Sequence, residues 1–250
     1  MSRRKSGFTG GLLVFIGLVL LIDAIVTVAW EDPFSTVFTQ HAQKALSKKL
    51  AAAEQAPLPA STLELVRRAG SERERMAVLA AHERLTARAG DPLGRIYIPK
   101  TGKNFVFIDG TGVEALKKGP GHYAGTALPG EHGTVAIAGH RTTYAAPFRH
   151  LNRLRRGYAI TLTMPYGTFT YTVEGTRSVP PNQTTVLGNA KYERLVLTTC
   201  TPVGSDNKRL IATARLRQAV PHGSTIQLIP VAPTTPQWSA AGLPSRSASR

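Results

Sequence analysis

The sequence predicts an all-β fold: an eight-stranded, closed or nearly closed barrel with short connecting helices, preceded by a transmembrane helix and a helical spacer. Three observations carry this. From residue 94 onward, eight short runs rich in β-branched and aromatic residues follow one another, split by Gly, Pro and Asn turns. Before them, residues 35–56 and 61–90 repeat apolar side chains at helical spacing. Earlier still, a basic cluster is followed by a long apolar stretch.

The N-terminal stretch reads as a retained membrane anchor. Arg3, Arg4 and Lys5 precede a run from Ser6 to Ile22 without a charge, and apolar character continues past Asp23 to Trp30. Residues 11–30 have the length of about 20 residues that a helix needs to cross about 30 Å of hydrocarbon. A cleaved secretory peptide has an apolar region of only about 7–15 residues and a small-residue cleavage site, for which "VTVAWEDPF" is a poor match. Asp23 is costly in a bilayer unless it sits near an interface, and it lies toward the outer part of the span. The basic cluster makes residues 1–10 a cytoplasmic tail and sends the rest of the chain outside, so the expected location is the plasma membrane, single-pass, with an extracellular C-terminal domain.

Residues 31–92 carry two helical patterns. Val37, His41, Ala45, Leu46 and Leu50 mark the first; Leu63, Val66, Met76, Leu79 and Leu85 mark the second. Pro57 and Pro59 separate them, and Gly90-Asp91-Pro92 closes the second. Near-balanced charge and thin apolar faces suggest an extracellular spacer that lifts the following domain off the membrane. The barrel is expected over 93–231, from "RIYIP", "NFVFID", "GTVAIAG", "YAITLTM", "TFTYTVEGTRSV", "RLVLTTC", "RLIATARL" and "STIQLIPV", with "APFRHLNRL" as the best connecting helix. Residues 232–250 are rich in Pro, Ser and Ala and read as a disordered tail.

Composition removes several classes. One Cys in 250 residues excludes an intramolecular disulfide scaffold. The net charge of +16 is concentrated in residues 93–217, which hold seventeen basic and six acidic residues. Placed outside the cell, that basicity suits anionic envelope material better than nucleic acid. The six scattered carboxylates are too few for a calcium cage, and one Cys with seven dispersed His lacks zinc spacing, so no metal or cofactor is expected.

Three residues at predicted strand ends could carry chemistry. Cys200 ends "RLVLTTC" and is followed by Thr201-Pro202, His140 follows the strand in "GTVAIAG", and Arg209 opens "RLIATARL". A thiolate attacks a carbonyl, an imidazolium protonates a leaving amine, and a guanidinium donates to a developing oxyanion. The backbone N–H of Thr201 is a second candidate donor. Taken singly, a lone Cys is most often an inert buried side chain and a lone His a structural one. His122 in "GPGHY" is the rival acid/base, but it follows a Gly-Pro-Gly turn and is read as structural.

The set is more telling than its members. "LVLTTC" followed by "TP" and Arg209, with "AIAGHRT" upstream and an N-terminal anchor, resembles a sortase, the wall-anchoring cysteine transpeptidase of Gram-positive bacteria. "KKGPGHYAGTALPGEHGTVAIAGHRTTYAAPFRHLNRL" and "LTMPYGTFTYTVEGT" look most like class E of actinobacteria, while "CTPVG" is similar to class C, the pilin polymerases. The family pattern T-L-x-T-C maps onto residues 196–200, with Val196 in place of its first Thr. The resemblance implies a sortase barrel with Cys200 as nucleophile, His140 as acid/base and Arg209 as oxyanion and substrate-backbone donor, Thr199 helping to shape the substrate groove. It also implies the reaction. A surface protein bearing a C-terminal LAxTG or LPxTG sorting signal is cleaved between Thr and Gly, a thioacyl-enzyme forms, and the amine of a lipid II-type peptidoglycan precursor resolves it. Two other readings remain at this point: a pilin-polymerising enzyme, and a non-catalytic envelope adaptor whose basic barrel binds wall polymer.

Overall fold

The computed structural model describes residues 6–29 and 33–222, with side chains over 10–22 and from 35 onward. Helix α1 spans Ser6–Ala29, α2 Pro33–Glu54, α3 Ala60–Arg68 and α4 Glu72–Thr86. The strands are β1 Pro92–Ile98, β2 Lys103–Asp109, β3 Gly121–His122, β4 Thr134–Ala138, β5 Ala159–Met164, β6 Gly167–Val179, β7 Arg194–Thr201 and β8 Lys208–Pro221, with a one-turn helix α5 at Val113–Leu116. Among the described residues these strands close a barrel in the order β1-β2-β3-β4-β7-β8-β6-β5. The β2/β3 and β4/β7 pairs are parallel and the others antiparallel.

Alternation explains the barrel wall. In β6 Phe169, Tyr171 and Val173 point into the core while the residues between them are half-exposed. Strand β7 instead reads as a continuous apolar run because both faces are covered. Leu195 and Leu197 join the barrel core with Phe107, Ile137 and Phe148. Val196 faces the other way, packed with Ala136, Val179, Val186 and Ile211.

The eighth strand differs from expectation. "STIQLIPV" lies outside the described residues, as does the tail over 232–250. The barrel is completed by the two-residue β3, which brings His122 against Ile137 of β4. So short a strand inside a Gly-Pro-rich segment has no periodicity to betray it. The helix expected in "APFRHLNRL" is a single 3-10 turn at Leu151–Arg153, since Pro147 and the left-handed backbone of Tyr144, Ala145 and Ala146 prevent a longer one.

The segment expected as a spacer is packed onto the barrel. Leu46 and Leu50 of α2 are buried against Val106 and Ile108 of β2. Val66 of α3 and Met76, Leu79 and Ala80 of α4 join the main core. The pattern over 61–90 is broken at Gly70, where the Ser71 side chain accepts from the Glu74 N–H at 3.2 Å and starts α4 afresh. Gln43 completes the attachment: its Nε2 donates to the Val106 and Lys118 carbonyls at 2.9 and 2.8 Å, and its Oε1 accepts from the Val106 N–H at 2.7 Å. This side chain acts as a strand edge where the β2/β3 ladder, which begins at Ile108, does not reach.

Among the described residues no helix is long and apolar enough to cross a membrane. The anchor expected over 11–30 lies partly outside the residues whose side chains are described.

Candidate active site

Register brings the three expected residues to one rim. On β7 and β8 Cys200 and Arg209 are direct partners, so their side chains leave the sheet on the same face. Strand β4 runs parallel to β7 with Ala138 beside Thr198, and the Gly139 N–H extends the ladder by donating to the Thr198 carbonyl at 3.0 Å. Two residues beyond Ala138 and Thr198 stand His140 and Cys200. Phe148 packs so closely that a Cβ on Gly139 would lie 2.7 Å from its ring, which is why glycine precedes the histidine. The Phe148 N–H also donates to the His140 carbonyl at 3.1 Å, folding the following loop back on itself.

His140 and Cys200 are each half-buried. Burial pushes the His140 imidazole below its ordinary range, so the ring is largely uncharged at neutral pH. Its face is covered by Tyr144, with ring centroids 5.0 Å apart and planes tilted by 39°. Tyr144 is held in turn by α2: its N–H donates to Ser35 Oγ at 2.8 Å, and Phe38 meets its ring edge-on at 6.5 Å. Lys103 Nζ donates to the Ala145 carbonyl at 3.0 Å. The first turns of α2 thus touch the loop that carries the histidine.

Arg209 keeps its guanidinium at the β7/β8 turn, where Nη1 donates to the Asp206 carbonyl at 2.7 Å and to that of Lys208 at 3.3 Å. Thr199 lies elsewhere than expected. Strand alternation points it into the barrel, opposite Cys200, and its buried hydroxyl donates to the Gly139 carbonyl at 2.7 Å. It ties β7 to β4 and does not line the face that holds the thiol. Thr201 closes β7, half-buried and paired with Lys208, followed by a cis peptide to Pro202. His122 is buried on β3, its Nε2 3.0 Å from the Ala127 carbonyl and 3.1 Å from Thr126 Oγ1. Its Nδ1 lies 3.5 Å from Asp109.

Three neighbours escaped the sequence reading. Thr198 shares the outer face with Cys200 and bonds the Tyr123 hydroxyl at 3.1 Å. Tyr144 covers the imidazole. Arg141, almost fully buried, donates from Nη1 to the Cys200 carbonyl at 3.1 Å. The available signal for Arg141 was its position directly after an apolar buried strand and the histidine, where a surface cation would not be expected.

A cavity of about 1120 Å³ sits at the opposite end of the barrel, among α3, α4 and the ends of β1 and β8, lined by Leu58, Leu79, Glu83, Tyr166 and His222. Burial, with Asp91 adding to it, raises the Glu83 carboxyl. His140, Cys200 and Arg209 take no part in this cavity. Among the described residues no cluster of three or more His, Cys, Asp or Glu is placed to hold a metal ion.

A closed barrel that gathers a strand-end thiol, an imidazole and a guanidinium at one rim has the layout of a cysteine acyl-transfer enzyme. The chain belongs to the sortase family, with residues 96–217 matching the family described as "Sortase domain". It is 36% identical over 126 residues to Sortase D of Bacillus subtilis, a match covering 49% of this chain and 62% of that protein. Among solved structures it is similar to sortase E from Streptomyces avermitilis, at 37% identity and a TM-score of 0.50 over 54% of this chain and 93% of that one. It is also similar to Sortase E1 from Streptomyces coelicolor with a tripeptide in the active site, at 27% identity and a TM-score of 0.50 over 54% and 94% of the two chains. The chain spans less than two thirds of the length of the curated relatives it matches.

Proposed function

We propose that this protein is a membrane-anchored cysteine transpeptidase that joins proteins bearing an LAxTG or LPxTG-type sorting signal to an amine of a peptidoglycan precursor. The carrying observation is the register that pairs Cys200 with Arg209 and, through the parallel β4 and β7, brings His140 to the same rim. In the first half-reaction the Cys200 sulfur attacks the carbonyl carbon of the signal's Thr. His140, neutral at rest, takes the thiol's proton as the sulfur attacks; the Thr–Gly C–N bond then breaks and the imidazolium gives that proton to the departing glycine amine. Arg209, turning from the Asp206 and Lys208 carbonyls, and the Thr201 N–H stabilise the oxyanion. In the second half-reaction the acceptor amine attacks the thioester, His140 takes up its proton and the thiolate leaves. The low proton affinity that burial gives His140 suits it to the first role, since a weakly held proton is readily passed to the leaving amine.

Class E is favoured as the subclass by the likeness to two Streptomyces sortase E structures, which bears on the sequence resemblance already described. Membrane anchoring, with the barrel outside, is supported by the exposed apolar run Leu12, Leu13, Val14, Phe15 and Ile16 of α1 after a basic N-terminus.

The test uses protein that retains α2, incubated with LAETG- and LPETG-type peptides and a small amine, with products read by mass. Exchange of the glycine for the amine, with a thioacyl adduct that disappears in Cys200→Ala, is the expected result. His140→Ala and Arg209→Ala should each lower turnover by about 10²-fold or more. Absence of both exchange and adduct with either peptide would refute the reading and turn attention to wall-polymer binding by the basic barrel.

A further inference from the structure

Arg141 stands out among the groups that the reaction above leaves unused. It follows His140 directly in the chain, yet its side chain crosses to the neighbouring strand and bonds the carbonyl of Cys200. Its residue exposure is only 7%, and its Nε is buried without a hydrogen-bond partner among the described residues. A guanidinium in that position is costly to desolvate, and Arg149 adds like-charge repulsion. A purely structural tie between β4 and β7 is already provided by the Thr199 hydroxyl on the Gly139 carbonyl. By contrast, the guanidinium of Arg209 is bonded to the turn beyond the strand.

We infer that Arg141 is a positioning residue for the nucleophile: the bond from its buried guanidinium fixes the Cys200 main chain against the His140 loop. This rests on the cysteine transpeptidase reading for its biological meaning, but the geometry stands without it. The bond runs from the residue after the imidazole to the carbonyl of the residue that carries the thiol. It therefore couples the two reacting groups through one side chain. The single Nη1 bond fixes the strand end from which the sulfur attacks.

The test uses the full protein and two readouts. Amide hydrogen exchange over residues 198–202, read by mass, reports on the end of β7 without any peptide substrate, so it separates failure of this inference from failure of the transpeptidase reading. Arg141→Met keeps the length of the side chain and removes its donors, and exchange over 198–202 should speed about tenfold, the effect typical of losing one hydrogen bond to a charged donor. In peptide exchange Arg141→Met should lose kcat with KM unchanged, because the groove is untouched, and Arg141→Lys, which keeps a charge and a donor, should recover kcat to within about threefold of the parent. A folded Arg141→Met variant with parental exchange over 198–202 overturns the inference, as does a raised KM at parental kcat. If Arg141→Met does not fold, Arg141→Gln decides: a raised KM at parental kcat overturns the inference, and a lowered kcat at parental KM supports it.

Discussion

Removing the Gln43 side chain is the sharpest test of whether the N-terminal helices belong to the catalytic domain. Gln43 makes three hydrogen bonds with buried or half-buried backbone: two donated to the Val106 and Lys118 carbonyls and one accepted from the Val106 N–H. Val106 is fully buried, so in Gln43→Ala water cannot reach its N–H or carbonyl without parting α2 from β2. An orphaned buried polar group costs about 1–3 kcal/mol, and with two such groups at Val106 and a wetter one at Lys118 the loss should be about 3 kcal/mol. For a domain of this size that is a fall in Tm of roughly 6–12 °C, at about 2–4 °C per kcal/mol. Gln43→Glu should fall as far at neutral pH, since a carboxylate keeps the acceptor but faces two carbonyl oxygens, and it should recover in acid as the carboxyl regains a donor. The assay is calorimetry of the detergent-solubilised full chain. Melting of Gln43→Ala within 1–2 °C of the parent would refute the docking of α2 and restore the reading of residues 31–92 as a spacer.

The remaining predictions concern the site and its proton balance. Tyr144→Ala should uncover the His140 ring and lower kcat several-fold, while Tyr144→Phe, which keeps the ring that stacks at 5.0 Å, should match the parent; equal losses in both would remove stacking as the cause. Thr199→Val deletes one buried hydroxyl bond to the Gly139 carbonyl and should cost about 1 kcal/mol of stability without altering which sorting peptide is preferred; a changed preference would return Thr199 to the substrate groove. Burial lowers the proton affinity of both His122 and His140, the Ala127 carbonyl and then the Asp109 carboxylate only partly offsetting it at His122. The unfolded chain therefore binds more protons just below about pH 6.5, and stability should fall as pH drops from 7 toward 5.5, by at most about 1.4 kcal/mol per pH unit for each histidine. The carboxyls of Glu83 and Glu193, raised by burial, act with the opposite sign but nearer their ordinary range. In His122→Gln the slope of Tm against pH should be about halved, and an unchanged slope would exclude His122 as a contributor.

Much of this protein was legible in residue order alone. Seven of the expected strand runs coincide with β1, β2 and β4–β8, because their β-branched and aromatic residues alternate or run continuously between Gly and Pro turns. Cys200, His140 and Arg209 were legible too, as chemically apt residues at the ends of such runs and as parts of a family pattern. Only the tertiary structure could decide the rest. Whether an amphipathic helix stands alone or docks depends on what covers its apolar stripe, and Leu46, Leu50 and Gln43 find their partners on β2, some sixty residues away. The face a strand residue takes depends on register with its neighbours, which put Thr199 inside the barrel and Cys200 outside. A long side chain such as that of Arg141 can cross to the next strand, so its partner, the carbonyl of Cys200, is set by the parallel pairing of β4 and β7 and by nothing local. Composition and periodicity are properties of the near chain; the contacts that turn three strand ends into one site are made between segments distant in sequence, and only folding brings them together.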